Sequence, residues 1–192
     1  EKKKLFAKYD KTKSLNLVPM SLKNEYWVGI TKRARIVFYN PNLVEYNEIR
    51  NISYEDLSST KWRESIAIRQ SNNIYNQSLV ASMLEHRGED FTKKWLEELV
   101  KNFSRKPQGN DRAQILSVAA GESKLAIANT YYYALMLSGK KGEDQKKAAQ
   151  KVKPIFPNQN DRGTHINISG AGILRFSQNK KNAQKFIEFL LT

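Results

Sequence analysis

Residues 124–133 read KLAIANTYYY, an apolar run that ends at a polar residue and continues into three consecutive tyrosines. Lys124 to Ala128 has the composition of a short buried strand, and Thr130 can begin a helix of about two turns. The segment therefore predicts a strand-to-helix junction with tyrosines in the first helical turn. Residues at the carboxyl end of a strand in an open α/β sheet point into the crevice where ligands bind.

The rest of the chain repeats this alternation of short apolar runs and helical periodicity. The predicted strands are residues 26–30, 34–39, 65–68, 124–128 and 166–168. The predicted helices are residues 53–57, 76–85, 90–102, a segment that Asp111 can cap and that ends near Gly121, a helix from Thr130, and 182–191. Residues 1–18 are expected to form a charged helix-and-turn region, and residues 140–144 a polar loop. The alternation predicts an α/β fold with a largely parallel sheet that helices cover on both faces.

The composition excludes several classes of function. The 192 residues are 40% hydrophobic and 27% charged, as in ordinary soluble globular proteins. The chain has no cysteine, which excludes disulfides, thiolate zinc sites and thiol catalysis. His86 and His165 lack the spacing of a zinc hydrolase, and no serine lies in a nucleophile elbow. The run SGAG at 169–172 is only weakly similar to a phosphate-binding turn, and we interpret it as a packing device. The sequence therefore predicts a protein that is not an enzyme.

The net charge of +14 makes an anionic partner the first to consider. Lys and Arg are scattered along the chain, whereas a nucleic-acid site would gather them on one face among exposed aromatic residues. The simplest interpretation is a solvated basic surface. A basic cleft for a small anion, or for a metal complex that carries an anion, is a further alternative.

The tyrosine run at 131–133 has two interpretations. Aromatic residues in a first helical turn most simply pack, with one in the core and another half exposed. At the carboxyl end of a strand, however, neighbouring residues can aim two phenol oxygens at one point. A phenolate is a hard oxygen donor, and a trivalent iron ion would favour its deprotonation despite an ordinary pKa of about 10. Paired tyrosines at this position therefore suit Fe(III).

Four segments resemble, in the same order, the periplasmic ferric-iron-binding proteins, the Fbp/Fut-type substrate-binding proteins of ABC transporters. They are WVGITKRARIVFY at 27–39, RQSNNIYNQSLVAS at 69–82, NDR at 110–112 followed by AIANTYY at 126–132, and INISGAGI at 166–173. They span most of the chain, and the double tyrosine is their most specific part. The resemblance implies an α/β periplasmic-binding-protein fold of type II, with one nearly complete α/β lobe and part of the second lobe.

The resemblance also implies a set of iron ligands. The tyrosine pair of the family falls on Tyr131 and Tyr132, and Tyr133 takes the place of another aromatic residue. The third ligand of the three-tyrosine subgroup falls on Tyr75, which we expect directly before a helix that starts near Asn76.

A helix start beside these ligands suggests an anion site. Free backbone N–H groups of Asn76, Gln77 and Ser78 are expected to hold a synergistic anion such as carbonate. Two further residues, Arg35 and Asn129, are expected to lie next to the ligands without binding the iron themselves. Arg33 shares a strand face with Arg35, and Arg35 is slightly preferred.

Family members have two lobes, and the resemblance implies that this chain lacks segments of the first lobe and the closing C-terminal helices. Residues 1–37 are expected to supply first-lobe segments and the strand that crosses between lobes. Residues 38–161 are expected to form the second lobe with the tyrosine ligands, and residues 162–192 to return into the first lobe.

The implied function is capture of Fe(III) outside the cytoplasmic membrane and delivery to an ABC transporter permease. The protein would be a monomer, soluble or lipid-anchored in the periplasm, completed by the missing first-lobe segments and without a nucleic-acid partner. Two alternatives stay open: a basic polyanion- or nucleic-acid-binding domain, and a binding protein of the same fold for another small anionic ligand. Polyanion binding would weaken steeply with salt, whereas coordination of iron would hardly respond.

Overall fold

The computed structural model describes residues 5–10 and 13–192. Within these residues the strands are β1 (Val28–Tyr39), β2 (Ile66–Ala67), β3 (Leu125–Asn129), β4 (Lys153–Ile155) and β5 (Ile166–Ala171). The helices are α1 (Lys13–Asn16), α2 (Tyr46–Ile49), α3 (Ile74–Arg87), α4 (Glu89–Lys101), α5 (Asp111–Ala119), α6 (Thr130–Leu137), α7 (Glu143–Gln150) and α8 (Lys180–Leu190). Short 3-10 helices span Met20–Leu22, Glu55–Ser58 and Thr60–Trp62.

The chain divides into two compact units. The smaller unit consists of Glu1–Lys32 and Ile168–Thr192, and the larger unit of Arg33–Asn167. The predicted second lobe, residues 38–161, falls inside the larger unit. The assignment of segments to two lobes of a longer protein stays a prediction.

The sheet is mixed. Its strand order is β2-β3-β1-β4, and β5 also pairs with β1. Strand β1 is antiparallel to both β3 and β4, with Arg35 opposite Asn129, and only the β2–β3 pair is parallel among the registers within the described residues. The prediction of a largely parallel sheet was wrong, because alternation of strands and helices along a chain does not fix the direction in which each strand enters the sheet. The α/β class itself is confirmed.

Alternate residues of the strands enter two separate cores in the larger unit. On one face, Val37 and Ile127 pack with side chains of α3 and α4 such as Leu79 and Trp95. On the other face lies a second cluster from the same two strands and from α5, α6 and α7: Ile36, Phe38, Ala126, Ala128, Ile115, Val118, Met136 and Ala149. Helices therefore cover both faces of the sheet, as predicted.

The smaller unit has its own apolar cluster, with Val18, Val28, Ile173 and Ile187 at its centre. The glycines of β5 and of the turn after it allow close packing there. A Cβ atom on Gly170 would lie 2.7 Å from Cε3 of Trp27, and one on Gly172 would lie 2.9 Å from Cδ1 of Phe6. This agrees with our interpretation of 169–172 as a packing device.

Several boundaries differ from the predicted ones. The two predicted strands, 26–30 and 34–39, belong to one continuous strand, β1, which begins at Val28 and whose exposed Thr31 and Lys32 made it look like two. The predicted polar loop at 140–144 runs into α7, which the sequence did not reveal because Ala149 is its only buried residue. In the predicted region 1–18, the described helix is α1, and residues 1–4 and 11–12 lie outside the described residues.

Candidate functional site

The tyrosine run lies where β3 ends and α6 begins. Asn129 is the last residue of β3 and has extended backbone angles, and Thr130 is the first residue of α6. The rings of Tyr131 and Tyr132 stack with centroids 4.1 Å apart and planes tilted by 31°. Two neighbouring residues of a regular helix diverge by roughly 100°, so this approach depends on the position of the pair at the very start of the helix.

Tyr133 has a different role from its two neighbours. Its ring lies 5.0 Å from that of Phe38, and its hydroxyl donates to the carbonyl oxygen of Val152 at 3.3 Å. Burial raises the pKa of the Tyr133 phenol. Tyr133 therefore packs against the core.

Tyr75 lies in the first turn of α3, not before it. The helix begins at Ile74, and the side chain of Asn73 caps it by accepting the N–H of Tyr75 at 3.2 Å. The predicted start near Asn76 was therefore two residues late, because the capping role of Asn73 was not recognised in the sequence.

The three predicted iron ligands come together. Burial raises the pKa of Tyr131 well above its ordinary value, and hydrogen-bonding interactions with the side chains of Tyr132 and Tyr75 raise it further. Tyr131 nevertheless keeps 39% of its surface exposed. The structure thus gathers phenol groups from α3 and α6 at one solvent-accessible place. As long as no metal ion is bound, the phenol of Tyr131 stays protonated and neutral.

Two arginines of β1 lie next to this cluster. The guanidinium carbon of Arg33 lies 5.6 Å from the ring centroid of Tyr75, a cation–π geometry. Arg35 is completely buried and donates through Nη1 to Oδ2 of Asp111 at 2.8 Å and through Nη2 to Oδ1 of Asn76 at 2.5 Å. Arg33 is therefore the arginine in contact with a predicted ligand, whereas Arg35 bonds to Asn76, the residue after Tyr75, and its supporting role stays a prediction.

Asp111 is the residue of this site that the sequence analysis missed. It was considered only as a helix cap, but Asn110 is the residue that caps α5. The carboxylate of Asp111 is fully buried, pairs with Arg69 at 3.2 Å as well as with Arg35, and accepts the backbone N–H of Asn129 at 2.7 Å. The sequence held only part of the signal, since the arginine at the start of the apolar run RIVFY requires a buried partner but does not identify Asp111 as that partner.

The predicted anion-binding residues are largely engaged in other bonds. The backbone N–H of Gln77 donates to the carbonyl of Asn73 at 3.0 Å, so it is not free as we expected. The amide of Asn76 donates to the carbonyls of Arg69 and Gln70, at 2.8 and 3.2 Å. Ser78 bonds through Oγ to Nε2 of His165 at 2.9 Å. The anion role of these residues stays a prediction.

Hydrogen bonds of His165 and Tyr54 connect β1 to α3, the helix that carries Tyr75. The hydroxyl of Tyr54 donates to the carbonyl of Arg35 and accepts the backbone N–H of His165 at 3.1 Å. Burial, and then the positive charge of Arg35, lower the pKa of His165 below its ordinary value. His165 is therefore neutral at physiological pH, which suits its bond to Ser78.

Other kinds of metal site are not seen in the described part of the chain. Among residues 5–10 and 13–192, no group of three or more His, Asp or Glu side chains is placed to hold a metal ion. In the same residues no helix has both the length and the apolar character needed to cross a membrane.

Known proteins resemble this chain along its whole length. Residues 1–192 match the family described as bacterial extracellular solute-binding proteins. Iron uptake protein A1 of Synechocystis sp. is 48% identical over 168 residues, which are 86% of this chain and 45% of that protein. The major ferric iron-binding protein of Neisseria meningitidis is 29% identical over 175 residues, 90% of this chain and 49% of that protein.

Solved structures agree with the sequence relatives. Trichodesmium FutA (IdiA), solved in complex with iron and citrate, has a TM-score of 0.90 at 43% identity and aligns with 98% of this chain and 59% of its own. A ferric binding protein from Campylobacter jejuni has a TM-score of 0.89 at 36% identity, with 98% of this chain and 60% of its own aligned.

The resemblance to Fbp/Fut-type proteins is thereby confirmed. So is the prediction that the chain is not an enzyme, since the matching family consists of solute-binding proteins. The chain spans about half the length of the curated relatives it matches. On the match over residues 1–192, the chain belongs to the family of bacterial extracellular solute-binding proteins.

Proposed function

We propose that this protein binds ferric iron through the phenolate oxygens of Tyr75, Tyr131 and Tyr132. The observation that carries the proposal is the interaction of Tyr131 with both Tyr132 and Tyr75, which brings together phenol groups from two helices. Two of the most similar proteins are named for iron uptake and ferric iron binding, and a third was solved with iron and citrate.

The donor set suits the trivalent ion. Three phenolates carry three negative charges, which balance the charge of Fe(III), and hard oxygen donors favour hard cations. Arg33 places a positive charge beside the ring of Tyr75. Because Tyr131 is neutral before the metal binds, capture of iron must displace protons.

We also propose that a small anion completes the coordination of the iron. A cavity of about 360 Å³ opens beside the start of α3, with the half-buried guanidinium of Arg69 in its lining. A helix N-terminus and a guanidinium both favour negative charge. Carbonate is one candidate for this anion, and citrate, which is present in the Trichodesmium neighbour, is a second.

The same comparisons support a proposal about the partners of the protein. We propose that it works outside the cytoplasmic membrane and delivers iron to an ABC-type permease. In the smaller unit, several large apolar side chains are at least 60% exposed: Leu174, Phe176, Phe186 and Phe189. We propose that first-lobe segments of a longer protein cover them, because water-exposed apolar surface of this extent is rare in monomers.

Equilibrium dialysis separates iron binding from polyanion binding. Purified protein should retain ferric iron supplied as ferric citrate, and salt should change the affinity little, because inner-sphere bonds replace solvent. Binding to duplex DNA, measured in parallel, should be weak and fall steeply with salt. Tight DNA binding with no retention of iron would reject the proposal in favour of a polyanion-binding domain.

A further inference from the structure

The ion pair between Arg35 and Asp111 is unusual because both side chains have no exposed surface. Burial lowers the pKa of the Arg35 guanidinium, and Asp111 opposes that effect by favouring the charged form. Buried ion pairs stabilise a fold little compared with apolar residues of the same volume, whereas removing one partner is strongly destabilising. Because such a pair adds little stability, we looked for a role in holding other residues in place.

The hydrogen bonds of the Arg35–Asp111 pair reach the starts of α3 and α6, the two helices that carry the predicted tyrosine ligands. Arg35 Nη2 donates to Oδ1 of Asn76, which follows Tyr75 in the first turn of α3. Asp111 Oδ2 accepts the backbone N–H of Asn129, the residue immediately before α6 and two positions before Tyr131. One ion pair thus joins the two backbone segments that carry the phenol groups.

The remaining bonds strengthen this connection. The carboxylate of Asp111 also pairs with Arg69, and the Asn76 amide donates to the Arg69 carbonyl, so a closed ring of bonds surrounds the start of α3. Asn129 is held mainly through its backbone. Within the described residues its side-chain nitrogen is buried without a hydrogen-bond partner, and its side-chain oxygen is a distant 3.4 Å from Arg35.

We propose that the Arg35–Asp111 pair is a positioning device that holds the starts of α3 and α6 at a fixed separation, so that Tyr75 meets Tyr131 and Tyr132 before iron arrives. The inference rests on the proposed function. It adds Asp111 to the site and gives Arg35 and Asn76, which the sequence already pointed to, a role that acts through the tyrosines. Preorganised ligands bind more tightly because less conformational freedom is lost on binding.

The test compares Asp111→Asn with a matched control. Asp111→Asn keeps the side-chain volume and an oxygen that accepts from Asn129, but removes the charge that faces Arg35. Glu55→Gln is the control, because Glu55 is a largely buried carboxylate that pairs with Arg162 at 2.8 Å and has no bond to the start of α3 or of α6. Asn76→Ala removes the bond from Arg35 to α3, together with the Asn76 amide bonds to the carbonyls of Arg69 and Gln70. It leaves the Arg35–Asp111 pair in place, so it serves if Asp111→Asn fails to fold.

Two measurements are made on each purified variant. The first is the affinity for ferric iron, measured by competition with citrate. This affinity should fall roughly 10- to 100-fold for Asp111→Asn and Asn76→Ala, as it does when other residues that orient metal ligands are substituted. The second is 19F NMR of iron-free protein labelled with 3-fluorotyrosine, in which the signals of Tyr75, Tyr131 and Tyr132 should shift or broaden. Glu55→Gln should lower stability without either effect.

The two measurements distinguish the possible failures. If the unsubstituted protein does not bind iron, the proposed function fails, and the 19F spectra of the iron-free protein still decide whether the pair positions the tyrosines. If the tyrosine signals and the iron affinity of Asp111→Asn and Asn76→Ala match those of Glu55→Gln, the pair is structural only and the inference is overturned.

Discussion

The guanidinium of Arg33 lies 5.6 Å from the ring centroid of Tyr75, close enough for its charge to act on the phenol. We predict that Arg33→Gln weakens ferric iron binding severalfold, because it removes a positive charge beside a tyrosine that becomes a negatively charged ligand when iron binds. Citrate competition measures the affinity. Arg50→Gln, at an exposed arginine of the same unit, is the control and should leave the affinity unchanged. An equal effect of both substitutions would mean that only the net charge matters.

The four tyrosines of the site are predicted to be unequal. Tyr75→Phe, Tyr131→Phe and Tyr132→Phe each remove a ligand oxygen while preserving ring packing, so each should weaken iron binding by more than the roughly 100-fold typical of residues behind the ligands. Tyr133→Phe loses only a bond to a backbone carbonyl and should bind iron almost normally. Equal losses for Tyr132→Phe and Tyr133→Phe would show that the assignment is wrong by one residue.

Iron binding should release protons. The raised pKa of Tyr131 keeps its phenol protonated at neutral pH in the iron-free protein, so the phenolate forms only when the metal binds. The apparent affinity should therefore fall as the pH decreases, by roughly tenfold per pH unit for each proton released. Calorimetry in buffers of different ionisation enthalpy counts these protons, with ferric citrate as the titrant in every buffer. Binding without proton release would contradict phenolate coordination.

His165 should make the larger unit sensitive to mild acid. The pKa of His165 is lowered in the folded protein, so protonation favours the unfolded chain. The stabilisation is complete above the ordinary histidine pKa of about 6.5 and is lost as the pH falls below that value towards the lower folded pKa. His165→Gln should reduce this acid-dependent loss, measured by denaturant unfolding at about pH 8 and about pH 5. His86→Gln, at the exposed histidine of α3, should behave like the unsubstituted protein, and a pH dependence that His165→Gln leaves intact would exclude this role.

The sequence predicted the elements near the tyrosines better than their directions in the sheet. The pattern LAIAN followed by TYYY identified β3 and α6 because apolar content and helix-start position are local properties. The antiparallel course of β1 was not predictable in this way, since it depends on which strands meet after long loops. Helix α7 was missed for a local reason, because its apolar face is almost absent.

The candidate site was predictable only in part, because it also depends on contacts between segments that are distant in the sequence. Tyr75, Tyr131 and Tyr132 were found through resemblance, and the structure brings them together. Asp111 was misjudged, because a carboxylate at a helix start normally caps the helix, and nothing in the local sequence shows that it lies beside Arg35. Partnerships across the fold of this kind depend on tertiary packing and not on sequence spacing.

The visible absorption spectrum after addition of ferric citrate tests the central claim most directly. Coordination by Tyr131, Tyr132 and Tyr75 predicts a charge-transfer band from tyrosinate to iron that grows to saturation at one iron per protein. The band should be kept in Tyr133→Phe and be weakened or shifted in Tyr131→Phe. A protein that stays colourless with excess ferric citrate would contradict phenolate coordination and leave the tyrosines as packing residues.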